Sequence, residues 1–157
     1  NGAKIVLRGC CSATAPSERP NPSISQYATG TVDVVLSPNA PLALGIEQAR
    51  AGSGYKGGTG WPIVTGQDGD KANTVNILAG KQAMTVWKDT RKLGDQVAKM
   101  VDQIVKGGTV EVNDTKTYNN NIKVVPTFLL PPLVVTKDTV KSSLVDSGFY
   151  TASDLGL

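Results

Sequence analysis

A chain of 157 residues has room for one packed domain and too little for two. Hydrophobic residues make up 39% of it, but only eight are aromatic, so one modest core is expected. The formal charge of +3 is dispersed, which excludes a concentrated basic footprint for nucleic acid, and the absence of histidine excludes His-dependent triads and His-ligated metal sites.

Residues 1–30 hold three prolines and many small polar residues without periodicity, and read as an irregular head, loop or disordered. Cys10 and Cys11 are neighbours, too close in sequence for an ordinary disulfide and too few for a thiolate metal centre. The stretch Leu7-Arg8-Gly9-Cys10 faintly matches the small-residue stretch before a lipid-modified cysteine. The six residues before it are too short for the apolar part of a signal peptide. The longest apolar run, residues 128–135, is interrupted by Pro131 and Pro132 and is too short to span a bilayer.

From residue 31 onward the pattern becomes regular. Val32, Val34, Val35 and Leu36 predict a short buried strand, closed by Ser37-Pro38. Pro41 suits the first turn of a helix whose inward face carries Leu42, Ile46 and Ala49 and which Gly52 and Gly54 close. A second strand is predicted over 62–65, then the turn Gly66-Gln67-Asp68-Gly69-Asp70. A short helix follows with Ala72, Val75 and Leu78 facing inward. Residues 83–87 predict a third strand. Asp89 or Thr90 then caps a helix over 90–106, with Leu93, Val97, Met100, Val101 and Ile104 on one face. Further extended segments are expected at 110–112, 122–125 and 133–136, and a last helix from 138 to 148. Strands alternating with helices predict an α/β fold: a parallel sheet with helices on both faces.

In such sheets, ligands bind beyond the carboxyl ends of the strands. The residues just past the first three strands are Asn39, Asp68 and Lys88: an amide, a carboxylate and an ammonium. That mixture of donors and acceptors suits a ligand covered in hydroxyl groups. Trp87 offers an apolar plate for a sugar's C–H face, although side-chain alternation sets it against Lys88. Each residue also has a plainer use. Asn39 can cap the helix near Pro41, Asp68 or Asp70 the next one, and Lys88 can be a solvated strand end. The stretch Gly52-Ser53-Gly54-Tyr55-Lys56-Gly57 fits a dinucleotide-binding motif by letters, but it follows a helix, where that motif must follow a strand. The residues after Asp68-Gly69-Asp70 lack the ligands of a calcium loop; an aspartyl nucleophile at Asp68 keeps a phosphotransferase reading open.

Ser37-Pro38-Asn39, residues 64–68 (Val-Thr-Gly-Gln-Asp), residues 84–91 (Met-Thr-Val-Trp-Lys-Asp-Thr-Arg), Asn113-Asp114-Thr115 and Val124-Val125-Pro126 together resemble a known family. It is that of the periplasmic sugar-binding proteins of ABC importers, in its xylose and multiple-monosaccharide branch. The likeness runs over residues 31–157, including residues 144–150, and covers the carboxy-terminal part of such proteins. The resemblance implies a partial Rossmann-like lobe of a two-lobed, periplasmic or otherwise extracytoplasmic protein, with a lipoprotein tether as a variant. It also implies an ABC permease as partner, and a monosaccharide of the xylose, glucose, galactose or arabinose class bound by Asn39, Asp68 and Lys88. It implies neither catalysis nor a cofactor. Ala40 stands where the family commonly has an acidic residue. By analogy the helix over 90–106 belongs to the lobe this chain lacks, so its apolar face needs another cover, such as a second copy of the chain. A sugar-responsive sensor domain of the same fold is the alternative.

Overall fold

The structure, a computed structural model, describes residues 32–52, 54 and 61–157; the head expected at 1–30, with both cysteines, and most of the 52–57 glycine motif lie outside these residues. In chain order the elements are β1 (Val34–Val35), α1 (Ala40–Gly52), β2 (Ile63–Gln67), α2 (Lys71–Leu78), β3 (Met84–Trp87), α3 (Thr90–Val105), β4 (Leu133–Thr136), one π-helical turn (Lys141–Val145) and α4 (Ala152–Leu155). They fall into two compact units. One comprises the described residues up to Trp87 together with Val134–Leu157, the other Lys88–Leu133.

The sheet has the order β1-β2-β3-β4. β1 and β2 run parallel with Val34 opposite Ile63, and β2 and β3 run parallel with Thr65 opposite Met84. This register and the alternation of side chains place Val35, Val64, Gly66, Thr85 and Trp87 on one face. That face is covered. Ile46 of α1 packs with Val35 and Trp61, and Ile77 of α2 joins Trp87, Val135, Val140, Leu144 and Leu155 in the main cluster. Burying side chains of this size stabilises by about 1.5–3 kcal/mol each. On the opposite face Val34, Ile63 and Val134 remain about half exposed. The α/β fold and the parallel pairing are as the sequence predicts.

Of the expected inward stripe of α2, Leu78 packs against the main cluster, but Ala72 and Val75 do not turn inward. Asn73, Thr74 and Ile77 point inward, and Val75 is exposed. The reason is a polar network. Asn73 Nδ2 donates to the Ala40 carbonyl (2.9 Å) and to Gln82 Oε1 (2.8 Å), and Gln82 Nε2 donates to the Met84 carbonyl (2.9 Å). Gly66 makes room for it, since a Cβ there would collide with the Gln82 amide. Hydrogen-bonding residues thus occupy the core face that an apolar periodicity is normally read from.

In the second unit, Asp89 caps α3 by accepting from the Arg91 backbone N–H (3.1 Å). α3 buries none of its residues, and Leu93, Val97, Val101 and Ile104 are between 51% and 62% exposed. The strands expected at 110–112 and 122–125 do not form. Only isolated antiparallel bridges, Asp114 to Thr127 and Asn119 to Val124, are present there. Side chains have taken over the backbone groups a ladder would use. Asn113 bonds both the N–H and the carbonyl of Leu129, Asp114 accepts from Lys116 and Thr117, and Asn120 accepts from Ile122 and Lys123. The helix expected over 138–148 shrinks to the π-helical turn, after which Leu144 O accepts from both Phe149 N and Tyr150 N. α4, absent from the sequence reading, is started by a reciprocal cap between Thr151 and Asp154.

Asn73→Ala should cost about 1–3 kcal/mol, because it leaves the Gln82 amide oxygen without its donor in the interior and removes a second donor from the Ala40 carbonyl. Urea denaturation reads this, and a loss below a few tenths would mean that the network carries no stability.

Candidate functional site

The carboxyl ends of β1 and β2 lie side by side because the strands are adjacent and parallel. The segment after β1 is tied to β2 by Ser37 N–H, which donates to Thr65 Oγ1 (3.1 Å). Asn39 follows, half-buried. Its Oδ1 accepts from the Leu42 N–H at 3.0 Å, the side-chain cap of α1. The capping use anticipated for Asn39 is therefore real, and it engages the side-chain acceptor.

Asp68 is the first residue past β2. Its N–H donates to the Val86 carbonyl (2.8 Å), its side chain is exposed, and its φ of 89° lies in the left-handed region that only glycine adopts freely. It caps no helix: Asp70 occupies the position before α2, without a side-chain cap bond. Such a backbone persists where its surroundings over-determine it, and here they do. Gly69, at φ 74°, donates to Thr85 Oγ1 (3.1 Å) and accepts at its carbonyl from the Tyr150 hydroxyl (3.0 Å). A Cβ on Gly69 would lie 2.9 Å from Trp87 Cδ1. Burial, reinforced by the Asp68 charge, pushes the Asp70 carboxyl above its ordinary value. Burial, then Asp70 and Asp154, raise the Tyr150 phenol.

Trp87 is the wall behind this turn and not a plate for a sugar. It is buried and meets Phe149 edge-on at 5.1 Å, and Phe149 meets Tyr150 at 4.8 Å. The alternation that separates Trp87 from Lys88 turns the indole into the core. Lys88 directly follows Trp87 and opens the second unit, with its side chain exposed. The structure thus brings Asn39 and Asp68 to one edge of the first unit and places Lys88 at the carboxyl end of β3. Sequence reasoning missed Thr85 and Tyr150, the residues that hold the turn. The Asp-Gly pair was the available signal, since it marks a positive-φ turn needing support.

The opposite end of the sheet holds the one strongly perturbed carboxyl on α1. Glu47 is 4% exposed, and burial pushes its pKa up to about 7, against the opposing pull of the Asn76 hydrogen bond and the charges of Lys81 and Arg50. Among the described residues no group of three or more His, Cys, Asp or Glu is placed to hold a metal, and no helix is long and apolar enough to cross a membrane.

Residues 21–109 match the family model described as a periplasmic binding protein domain. The multiple sugar-binding periplasmic receptor ChvE of Rhizobium radiobacter is 44% identical over 144 residues, 91% of this chain and 41% of the relative. The D-xylose-binding periplasmic protein of Escherichia coli K12 is 34% identical over 124 residues, 79% of this chain and 36% of the relative. Among solved structures, an ABC transporter solute binding protein from Clostridium phytofermentans with bound β-D-glucose superposes with a TM-score of 0.81 at 46% identity, covering 92% of this chain and 44% of that one. A carbohydrate transporter solute binding protein from Chloroflexus aurantiacus in complex with D-glucose gives 0.78 at 34% identity, covering 90% and 41%. The chain spans about two fifths of the length of the curated relatives it matches.

A raised carboxyl pKa contributes stability that is complete below the unfolded value of 4.5 and is lost as pH rises through about 7. Urea midpoints should therefore fall between pH 5 and 8, and Glu47→Gln should flatten that fall. An unchanged slope in the variant would assign the titration to another group.

Proposed function

The chain belongs to the periplasmic binding protein family, and on that premise we propose that it is part of the sugar-binding component of an ABC importer. It captures a monosaccharide by hydrogen bonds at the carboxyl edge of its sheet, outside the cytoplasm, and hands it to a membrane permease; no covalent bond is made or broken. The observation that supports this most is Asp68: an exposed carboxylate, held at positive φ by a turn that Thr85, Trp87 and Tyr150 brace, one strand over from Asn39. Relatives whose names and bound ligands are sugars support the class of ligand.

In this reading the Asp68 carboxylate accepts from two sugar hydroxyls, Asn39 donates through Nδ2 and Lys88 donates to a ring or hydroxyl oxygen. Charged partners make the stronger hydrogen bonds, about 1.5–3 kcal/mol each, and a wrong epimer leaves one of them unpaired. The apolar face of α3 is proposed as the surface that meets a second lobe in the complete protein, or a second copy when this chain stands alone.

Two outcomes follow. In the complete protein, calorimetry with D-glucose and D-xylose should show Asp68→Ala and Asp68→Asn each weakening binding at least tenfold, Asn keeping the backbone preference while losing the charge. Asn39→Asp should keep the α1 cap and still weaken binding, and undiminished affinity in all three would retire the site. Light scattering should find the isolated 157-residue chain as a dimer, which Val97→Glu with Val101→Glu returns to monomer. A monomeric wild type would show that the α3 face is not an interface between copies.

A further inference from the structure

We propose that a hollow at the amino-terminal end of the sheet is a second binding site, for a neutral polyhydroxylated small molecule. The hollow encloses about 360 Å³, in the lower part of the roughly 300–1,000 Å³ range of small-molecule pockets. It lies by Trp61, two residues before β2, and Lys81, three before β3, so it is at the opposite end from Asn39 and Asp68.

Its floor is Glu47. Oε2 accepts from Asn76 Nδ2, while Oε1 is buried and has no hydrogen-bond partner among the described residues. A buried acceptor without a partner is costly, and an occupant that donates to it recovers that cost. Trp61 lines the same space, its ring fixed by Nε1–H donating to the Lys81 carbonyl (2.6 Å) and by the Arg50 guanidinium 5.7 Å from its centroid. Gln48 and Lys81 add an exposed amide and an ammonium, and Leu44 and Ala51 add apolar surface.

The charges select the class of occupant. Lys81 and Arg50 oppose a cation, and Glu47 opposes an anion. A hydroxyl both donates to Glu47 and accepts from Lys81, and the C–H face of a polyol ring suits the indole and Leu44. The inference stands apart from the carboxyl-edge site, sharing no residue with it.

Indole N–H signals of the ¹⁵N-labelled 157-residue chain, titrated with D-glucose, separate the two sites. Trp87 lies against Gly69 and reports the carboxyl edge, while Trp61 reports the hollow. The Trp61 signal should shift saturably and do so equally in Asp68→Asn. At pH 8, above the raised Glu47 pKa, Glu47→Gln should weaken that response about tenfold, the loss of one charged hydrogen bond. Ala51→Trp, which fills the hollow from an exposed helix position, should abolish it. A Trp61 signal that never moves in a folded protein, or that moves as strongly in Ala51→Trp, overturns the proposal. So does arginine hydrochloride binding there more tightly than glucose, which would replace the neutral class by a cationic one.

Discussion

The contact between Gly69 and the Trp87 indole organises the carboxyl end of this sheet. With no Cβ, Gly69 sits against the ring at a distance no other residue tolerates, and its positive φ turns the chain out of β2. Its two backbone polar groups are then taken by Thr85 and Tyr150. The consequence falls on its neighbour. Asp68 is held in a left-handed conformation that costs an ordinary residue of order 1 kcal/mol, and the turn that imposes it rests on core aromatics. Phe149 and Tyr150 carry the support to the last segment of the chain, which α4 and its cap secure.

The two ends of the sheet carry different electrostatics. At the carboxyl end burial, and after it the charge of Asp68, hold the Asp70 proton more tightly. At the amino end a single carboxylate, Glu47, sits among Arg50, Lys81 and an indole, and burial outweighs both cations. Because the folded state holds this proton to near neutrality, stability declines as pH rises through that range. α1 also carries Asn39 at its start, so the same helix serves the ends of both regions.

What could be read from the residues depended on which force ruled each segment. β-branched runs and Gly or Pro punctuation located β1, β2, β3 and β4, and an apolar stripe with Asp89 ahead of it located α3, because those signals come from burial periodicity and caps. On α2 the apolar period points to Leu78 but misses Asn73 and Thr74, which are buried by hydrogen bonding that no hydrophobic period reports. The segments at 110–112 and 122–125 look like strands by composition. Their neighbours Asn113, Asp114 and Asn120 compete for the backbone and win. For the proposed site, strand ends point to Asn39 and Asp68 as candidates from topology alone, while the use of Trp87 as a wall needs the register of β3.

An edge that carries hydrogen-bonding groups on one side only is a weak trap for a sugar. In the proposed site, a hydroxyl bonded to Asp68 or Asn39 would exchange one water contact for one protein contact, a net gain of about 0.5–1.5 kcal/mol, or up to about 3 at the carboxylate. A second wall changes that balance by excluding water, which strengthens every polar contact it encloses and raises the penalty on an unmatched hydroxyl. The rigidity of the Asp68 turn matters most in that setting. A carboxylate already fixed in direction loses little freedom when a ligand arrives, so the contribution of an opposing surface goes into affinity and discrimination, and little of it into ordering the site.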